Sequence, residues 1–521
     1  MLYANLRYRV AFHDKFSEVF ASLAGILAGD SISPDLWNAF IADFRPPMDE
    51  DDVRLDGINV GNLEQADDMA LFSTTPEGLQ RKLNYLWQYA AKNFILINIS
   101  KTKVMIQGHT SAFTAPRPTL SLNGEAVTYC EEYTYVGTTF ASTPLGGARL
   151  FAKHYERKAG QAHRVAYSSF LVESYIGCLP PREGKRLYMA RVDPHLTSGA
   201  EVSPDVTLTL LEPLKRVQHT YLQRILGLNP RCMRAFLFSE TGLLPIAYRR
   251  LTIALRFLIY LLKLPREHLA ARAWRECWAL YTRGSRCWLG DLTTALKRVP
   301  VDISCLNAVD IPVETVKTLI LSVHKAAETC VENALRESSK GYLLVDRLHR
   351  NEDGIIVNNK ALALREYLML PIASHRKALT ALLLAEHPLA EARLRYAERR
   401  RPSVPREYRL CRFCKVAVED SLHALFECQG SPDLDILRSR FWHQCLHEGS
   451  ANEIGLQSAA PLEALHHLLI SRKLLRKLAW LAYETIKIYE STEMLVPDRN
   501  SLPPVPDGTS TRRHTLKNAM L

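Results

Sequence analysis

The sequence predicts an α+β chain: antiparallel hairpins and helices in front, a long and mostly helical body behind, and a small metal-stapled module near the end. Three observations carry this. "DVRLDGINV" (52–60) alternates Val53/Leu55 and Ile58/Val60 around Asp56-Gly57, the strongest short hairpin signal. From about residue 145 apolar residues recur at helical spacing and strand alternation fades. "CRFCKVAVEDSLHALFEC" then sets Cys411, Cys414, His423 and Cys428 in the pattern C-x2-C-x8-H-x4-C.

In the front part, "SPDLWNAFIADF" (33–44) reads as a helix with Ser33 as N-cap, Pro34 in the first position and Leu36, Phe40 and Phe44 on one face. "TPEGLQRKLNYLWQYAAKN" (75–93) is a second helix, through Leu79, Leu83, Leu86 and Ala90. "FILINISKTKVMIQG" (94–108) returns to strand character on both sides of a polar turn. In the body, "EPLKRVQHTYLQRILGLNP" (212–230) places Leu214, Val217, Tyr221 and Ile225 on one face and stops at Gly227 and Pro230. Helices are also expected around 246–264, 310–336, 376–400 and 463–490. Weak packing patterns at 282–310 and 338–358 suggest a linker, and the Pro/Ser/Thr-rich tail from about 495 suggests disorder.

Length and composition bound the class. The 521 residues are 47% hydrophobic, which suits a globular chain, with room for roughly two to four domains. The densest apolar run, "FLIYLL" (257–262), meets Lys263 and Pro265 long before membrane-spanning length, so no membrane partner is expected. "MLYANLRYRV" lacks a secretory layout, and 11 scattered cysteines argue against a disulfide framework. An intracellular setting, nuclear or cytoplasmic, is the expectation. The net charge of +11 is uneven: residues 1–100 carry 8 Lys+Arg against 14 Asp+Glu, which leaves +17 for the rest. An acidic front and a basic body suit a polyanion partner. Oligomeric state is not readable.

"NLEQADDMALFST" (62–74) puts Asp67 and Asp68 in an apolar strand context, with no basic residue between Arg54 and Arg81. Strand neighbours point to opposite faces, but a hairpin tip relaxes that, and both carboxylates can then approach a cation. Without a cation, such a pair repels and one member tends to protonate. The same dipeptide also suits a solvated polar turn.

The surroundings bring in a family. "QADDMALFSTTPEGLQRKLNYL" resembles the Ala-Asp-Asp palm hairpin and following helix of non-LTR retrotransposon reverse transcriptases. "FASLAGILAGDSISPDLWNAFIADF" (20–44) resembles their Gly-rich turn and Ser-Pro helix, "INISKTKVM" (97–105) their Asn-x-x-Lys-Thr strand, and "EEYTYVGTTF" (131–140) their primer-gripping hairpin. Downstream, "RVQHTYLQRILGL" through "LLPIAYRRLTIALRFL" resembles the helical thumb, and the Cys-Cys-His-Cys cluster resembles their zinc knuckle. The resemblance implies an RNA-directed DNA polymerase acting on an RNA template and a DNA primer or target. It also implies two Mg2+ ions on Asp67 and Asp68. Lys101 or Lys103 would face the triphosphate, and Gly25, Gly29, Asp30, Ser33 and Gln65 would lie beside nucleotide and template. The domains expected are a partial fingers/palm (1–142), a helical thumb (143–270), a helical connector (271–375), a zinc knuckle with basic flank (376–450), C-terminal helices (451–494) and a tail (495–521). The pattern departs from the family where no apolar strand aspartate precedes the Gly-rich turn. Ala28 and Gln65 also replace the usual Gln and the usual aromatic or His. The chain is therefore expected to be a truncated copy without activity of its own. The alternative is a non-enzymatic nucleic-acid-binding remnant.

Cys411, Cys414, His423 and Cys428 suit a closed tetrahedral zinc site, structural because no position is left open, with Asp420 placed to cap the segment before His423. Ahead of it run Arg393, Arg395, Arg399, Arg400, Arg401, Arg406, Arg409 and Arg412, with Tyr396 and Tyr408 interleaved. That mixture suits phosphate contact and base stacking, or a solvated helix end. Arg472, Lys473, Arg476 and Lys477 form a second basic face, read as solvated. "SPDLD" (431–435) lacks the Glu-x-Lys partner a nuclease would need.

Overall fold

The computed structural model describes residues 7–21, 26, 29–108, 110–144, 149–350, 355–358, 360–398, 401–448, 455–498 and 520–521. Gly25, Ala28, Arg399, Arg400 and most of the tail lie outside the described residues. The fold is α+β: helices joined by short strand pairs, antiparallel except where Lys103–Val104 runs parallel to Thr128 and Tyr129. Two compact units divide the chain, residues 1–150 with 266–279, and 151–265 with 280–521.

In the first unit, Asp56 and Gly57 adopt positive φ (45° and 79°), the turn that matches strand twist, and join Val53–Leu55 to Ile58–Val60. Arg275 holds that turn through Asp56 at 2.5 Å. The next hairpin pairs Asn62–Gln65 with Asp68–Leu71, and a third pairs Glu132–Tyr135 with Thr138–Ala141 around Val136-Gly137. Helix Pro76–Lys92 starts as its sequence dictates: the Thr75 hydroxyl accepts the Gly78 N–H at 3.1 Å. Leu83, Leu86 and Ala90 are buried. Its polar side is pinned by the acidic run before the hairpins. Arg81 meets Asp49 and Asp51 at 2.6 Å each, and buried Lys82 donates to Asp52 and the Phe72 carbonyl.

Several expectations need correction here. Ile32, not Ser33, occupies the cap of helix Ser33–Ile41; Ser33 is its buried first residue. Phe40 is exposed, and Trp37, Ile41 and Phe44 face the core instead. Only Lys103–Val104 forms a strand in 94–108, because only those residues find a partner strand; Phe94 takes φ 56° and points outward.

The second unit packs helices in pairs: Ala152–Ser169 on Leu208–Leu226, Ile246–Lys263 on Val313–Glu337, and Ala373–Leu383 on Leu475–Glu490. Leu208–Leu226 ends at Gly227 in the left-handed conformation, φ 70°. Buried Glu240 meets Arg347 and Tyr367 at 2.6 Å each; burial opposes its charge, but Arg347 and Arg365 hold its carboxyl down at about 2. The expected linker is core: helix Trp288–Leu296 buries Leu289, Leu292 and Leu296, and Leu343 and Leu344 are buried too. The helix expected at 376–400 stops at Leu383, short of Pro388, and that at 463–490 breaks after Ile470.

Candidate metal centre

Leu410 and Val418 form a bridge, and the Cys411 N–H donates to the Ala417 carbonyl at 2.8 Å, so the first two cysteines sit on a tight reversal. Lys415 completes it at φ 58°. Across from it, His423–Glu427 is a π-turn closed by Cys428 N–H on the His423 carbonyl at 2.9 Å. Residues five apart diverge by about 140° around an α-helix; the wider π-turn brings His423 and Cys428 to one side. Asp420 accepts the His423 N–H at 3.0 Å, as its position before the helix suggests.

All four ligand atoms lie within 4.8 Å of one another. Cys411 Sγ is 3.6 Å from Cys428 Sγ, and Cys414 Sγ is 3.4 Å from His423 Nε2. With Zn–S near 2.3 Å and Zn–N near 2.0–2.1 Å, a tetrahedral ion sets edges of about 3.8 Å and about 3.5 Å. The Cys411–Cys428 and Cys414–His423 spacings match those edges. Three soft sulfurs and an imidazole, with Cys411, His423 and Cys428 buried, suit zinc and give a hard cation nothing to bind. Burial pushes the Cys428 thiol up to about 11, so loading a metal must expel protons.

The sequence reading missed the supporting groups. Glu427 Oε2 lies 3.8 Å from His423 Nδ1, the ring nitrogen turned away from the ligand pocket. The Gly430 N–H bonds the Cys428 sulfur, and a Cβ on Gly430 would fall 2.4 Å from Cys414 N. That glycine, two residues after the last cysteine, was the available signal. Tyr489, with its hydroxyl 3.5 Å from Cys411 Sγ, comes 61 residues after Cys428 and had no local signal.

Among the described residues of the basic flank, several arginines have internal partners. Arg409 is buried on the carbonyls of Val404 and Glu391, at 2.9 and 3.0 Å. Arg412 is buried against Glu419 at 2.6 Å. Arg395 pairs with buried Glu391 at 2.5 Å, Arg406 with Asp420 at 2.6 Å, and Arg401 binds the carbonyls of Arg393, Leu394, Tyr396 and Pro402. Arg393 is exposed.

Asp67 and Asp68 stand exposed at the tip of the 62–71 hairpin, with Ala66 at φ 54° and Gln65 opposite Asp68. Trp37 Nε1 donates to the Ala66 carbonyl at 2.6 Å and fixes that tip. Tyr135 reaches the Leu63 carbonyl at 3.5 Å, and burial followed by the Asp68 charge raises the hydroxyl pKa values of Tyr133 and Tyr135. Lys103 Nζ donates to Thr128 Oγ1 at 2.7 Å, Lys101 lies in the turn capped by Asn98, and Gly29 takes φ 88° ahead of Asp30. Among the described residues, the cysteine–histidine cluster is the sole group of three or more metal-ready side chains, so no third carboxylate joins the aspartate pair. Two aspartates alone do not fit a two-Mg2+ site. No helix among the described residues is long and apolar enough to cross a membrane.

No known protein family matches this sequence, and no curated protein does.

Proposed function

We propose that this chain is a polypeptide of the non-LTR reverse-transcriptase type, with palm hairpins, a helical thumb and connector, and a structural zinc module, whose ligands are an RNA template and a DNA primer. The observation that carries the reading is the Asp67-Asp68 pair, exposed at the tip of an antiparallel hairpin and followed at once by helix Pro76–Lys92. Support comes from the 132–141 hairpin, whose Tyr135 reaches the Leu63 carbonyl of the Asp-Asp hairpin, and from the closed Cys3His cluster. In this reading the zinc is a staple, and Asp67 and Asp68 mark the reactive end of the palm.

Among the described residues no third carboxylate joins the pair, which favours a second reading, a nucleic-acid-binding protein without catalysis. Two measurements decide. An RNA–DNA template–primer should bind the full chain with an affinity that falls with salt, and absence of binding overturns both readings. Primer extension on an RNA template with Mg2+ should be undetectable, since removing one ligand breaks a two-ion site. Robust extension that Asp67→Ala abolishes would establish a competent polymerase and remove the second reading.

A further inference from the structure

We propose that Tyr489 is an outer-sphere donor to the metal centre: its hydroxyl hydrogen-bonds the metal-bound Cys411 thiolate and thereby ties helix Leu475–Glu490 to the ion. The proposal rests on the zinc reading of the four ligands and adds a residue outside their motif.

Tyr489 is fully buried, with its hydroxyl 3.5 Å from Cys411 Sγ and in hydrogen-bonding reach of Cys428 as well. A buried hydroxyl needs a partner. A neutral thiol accepts only weakly, whereas a thiolate accepts strongly. The hydroxyl is thus placed for an ionised sulfur, the state a metal enforces.

The donor is also held in place. Phe413, between the first two ligands, packs edge-on to the Tyr489 ring at 4.9 Å. The Arg412 guanidinium lies over the ring at 5.4 Å, and its Nη1 donates to the carbonyls of Tyr489 and Thr492 at 2.5 and 2.7 Å. Glu419 fixes Arg412 in turn, and accepts the backbone N–H groups of Arg412 and Ala390 at 2.8 Å each. A phenylalanine would fill the same space; only the hydroxyl needs the sulfur. Three thiolates on a divalent ion leave excess negative charge, and donors to the sulfurs relieve it. Gly430 N–H does so at Cys428, and Tyr489 at Cys411.

The test uses the full chain, stripped of metal and reloaded with Co2+. Tyr489→Phe should keep a four-ligand cobalt spectrum but move its sulfur-to-cobalt charge-transfer band to lower energy, because the thiolate loses its donor. It should also weaken metal affinity by roughly 10–100-fold in competition with a chelator. A band and an affinity unchanged from wild type overturn the proposal. Independently of any variant, hydrogen exchange on the wild type should show amides 485–492 losing protection when the metal is removed; unchanged protection also overturns it. If the wild-type chain takes up no cobalt with a sulfur charge-transfer band, the zinc reading falls, and this inference falls with it.

Discussion

At the scale of single residues, the metal centre depends on positions that carry no ligand. Gly430 is the sharpest case, since a methyl group there would sit 2.4 Å from Cys414 N and 2.6 Å from the Phe413 carbonyl carbon. Both neighbours are backbone in the turn that presents two ligands, so they cannot rotate away. Gly430→Ala should therefore cost about 1–3 kcal/mol by overpacking and spread the ligand set. Zinc content after dialysis and the denaturant midpoint check this; a variant that retains stoichiometric zinc and the wild-type midpoint contradicts it. The four ligands were readable from spacing, because metal chemistry fixes both residue types and intervals. Their supporting groups were not. Tyr489 reaches Cys411 only through tertiary packing, and the π-turn that aligns His423 with Cys428 leaves no mark in residue type.

At the scale of elements, the arginine run shows how far composition carries. Eight arginines between 393 and 412 read as a basic surface, yet burial divides them by role. Arg409 and Arg412 have carbonyl or carboxylate partners fixed inside the fold, while Arg393 faces solvent. A sequence shows charge but not which side chains find internal partners. Under the proposed function, Arg393 is placed for phosphate contact among the described arginines, and Arg399 and Arg400 join it on their charge alone. Arg399→Ala with Arg400→Ala should flatten log K against log salt by roughly 1.4–1.8 units, as each phosphate contact contributes about 0.7–0.9. Arg412→Ala should do the reverse, with little change in slope and about 3–5 kcal/mol of lost stability, because Glu419 stays buried without its ion pair. Equal effects from both would remove the division. Hairpins were the best-read elements: Asp56-Gly57 turns with positive φ where the pattern placed it, and Val136-Gly137 does so inside the 131–140 segment that the resemblance implied to be a hairpin. Segment 94–98 failed as a strand because strand character without a neighbouring strand leaves the backbone unpaired.

For the whole molecule, the pattern changes near residue 145, and the continuous front segment of the first unit runs to Leu150. What it hid was the return of 266–279 to that unit. Helix Leu269–Thr282 has an ordinary amphipathic pattern, and its tie to the front is a pair of arginines, Arg272 and Arg275, on Asp56 far earlier in the chain. The second unit takes in 151–265 and 280–521, from the helices after Leu150 through the Cys-His cluster to the C-terminal helices. The zinc ligands lie entirely in that second unit, and Arg412 bonded to Tyr489 and Thr492 makes the C-terminal helix part of their support. A knuckle fragment ending at 450 therefore lacks groups the centre uses. Two compact units, one with a cluster that could hold a structural ion, should unfold in two calorimetric transitions. A metal-binding free energy that is folding free energy stabilises only the unit holding the ligands. Chelation should then lower one transition and leave the other in place, with the hairpins of residues 53–71 keeping their amide protection throughout. A single transition that shifts as a whole would contradict the two-unit division, and two transitions both indifferent to chelator would contradict a structural metal.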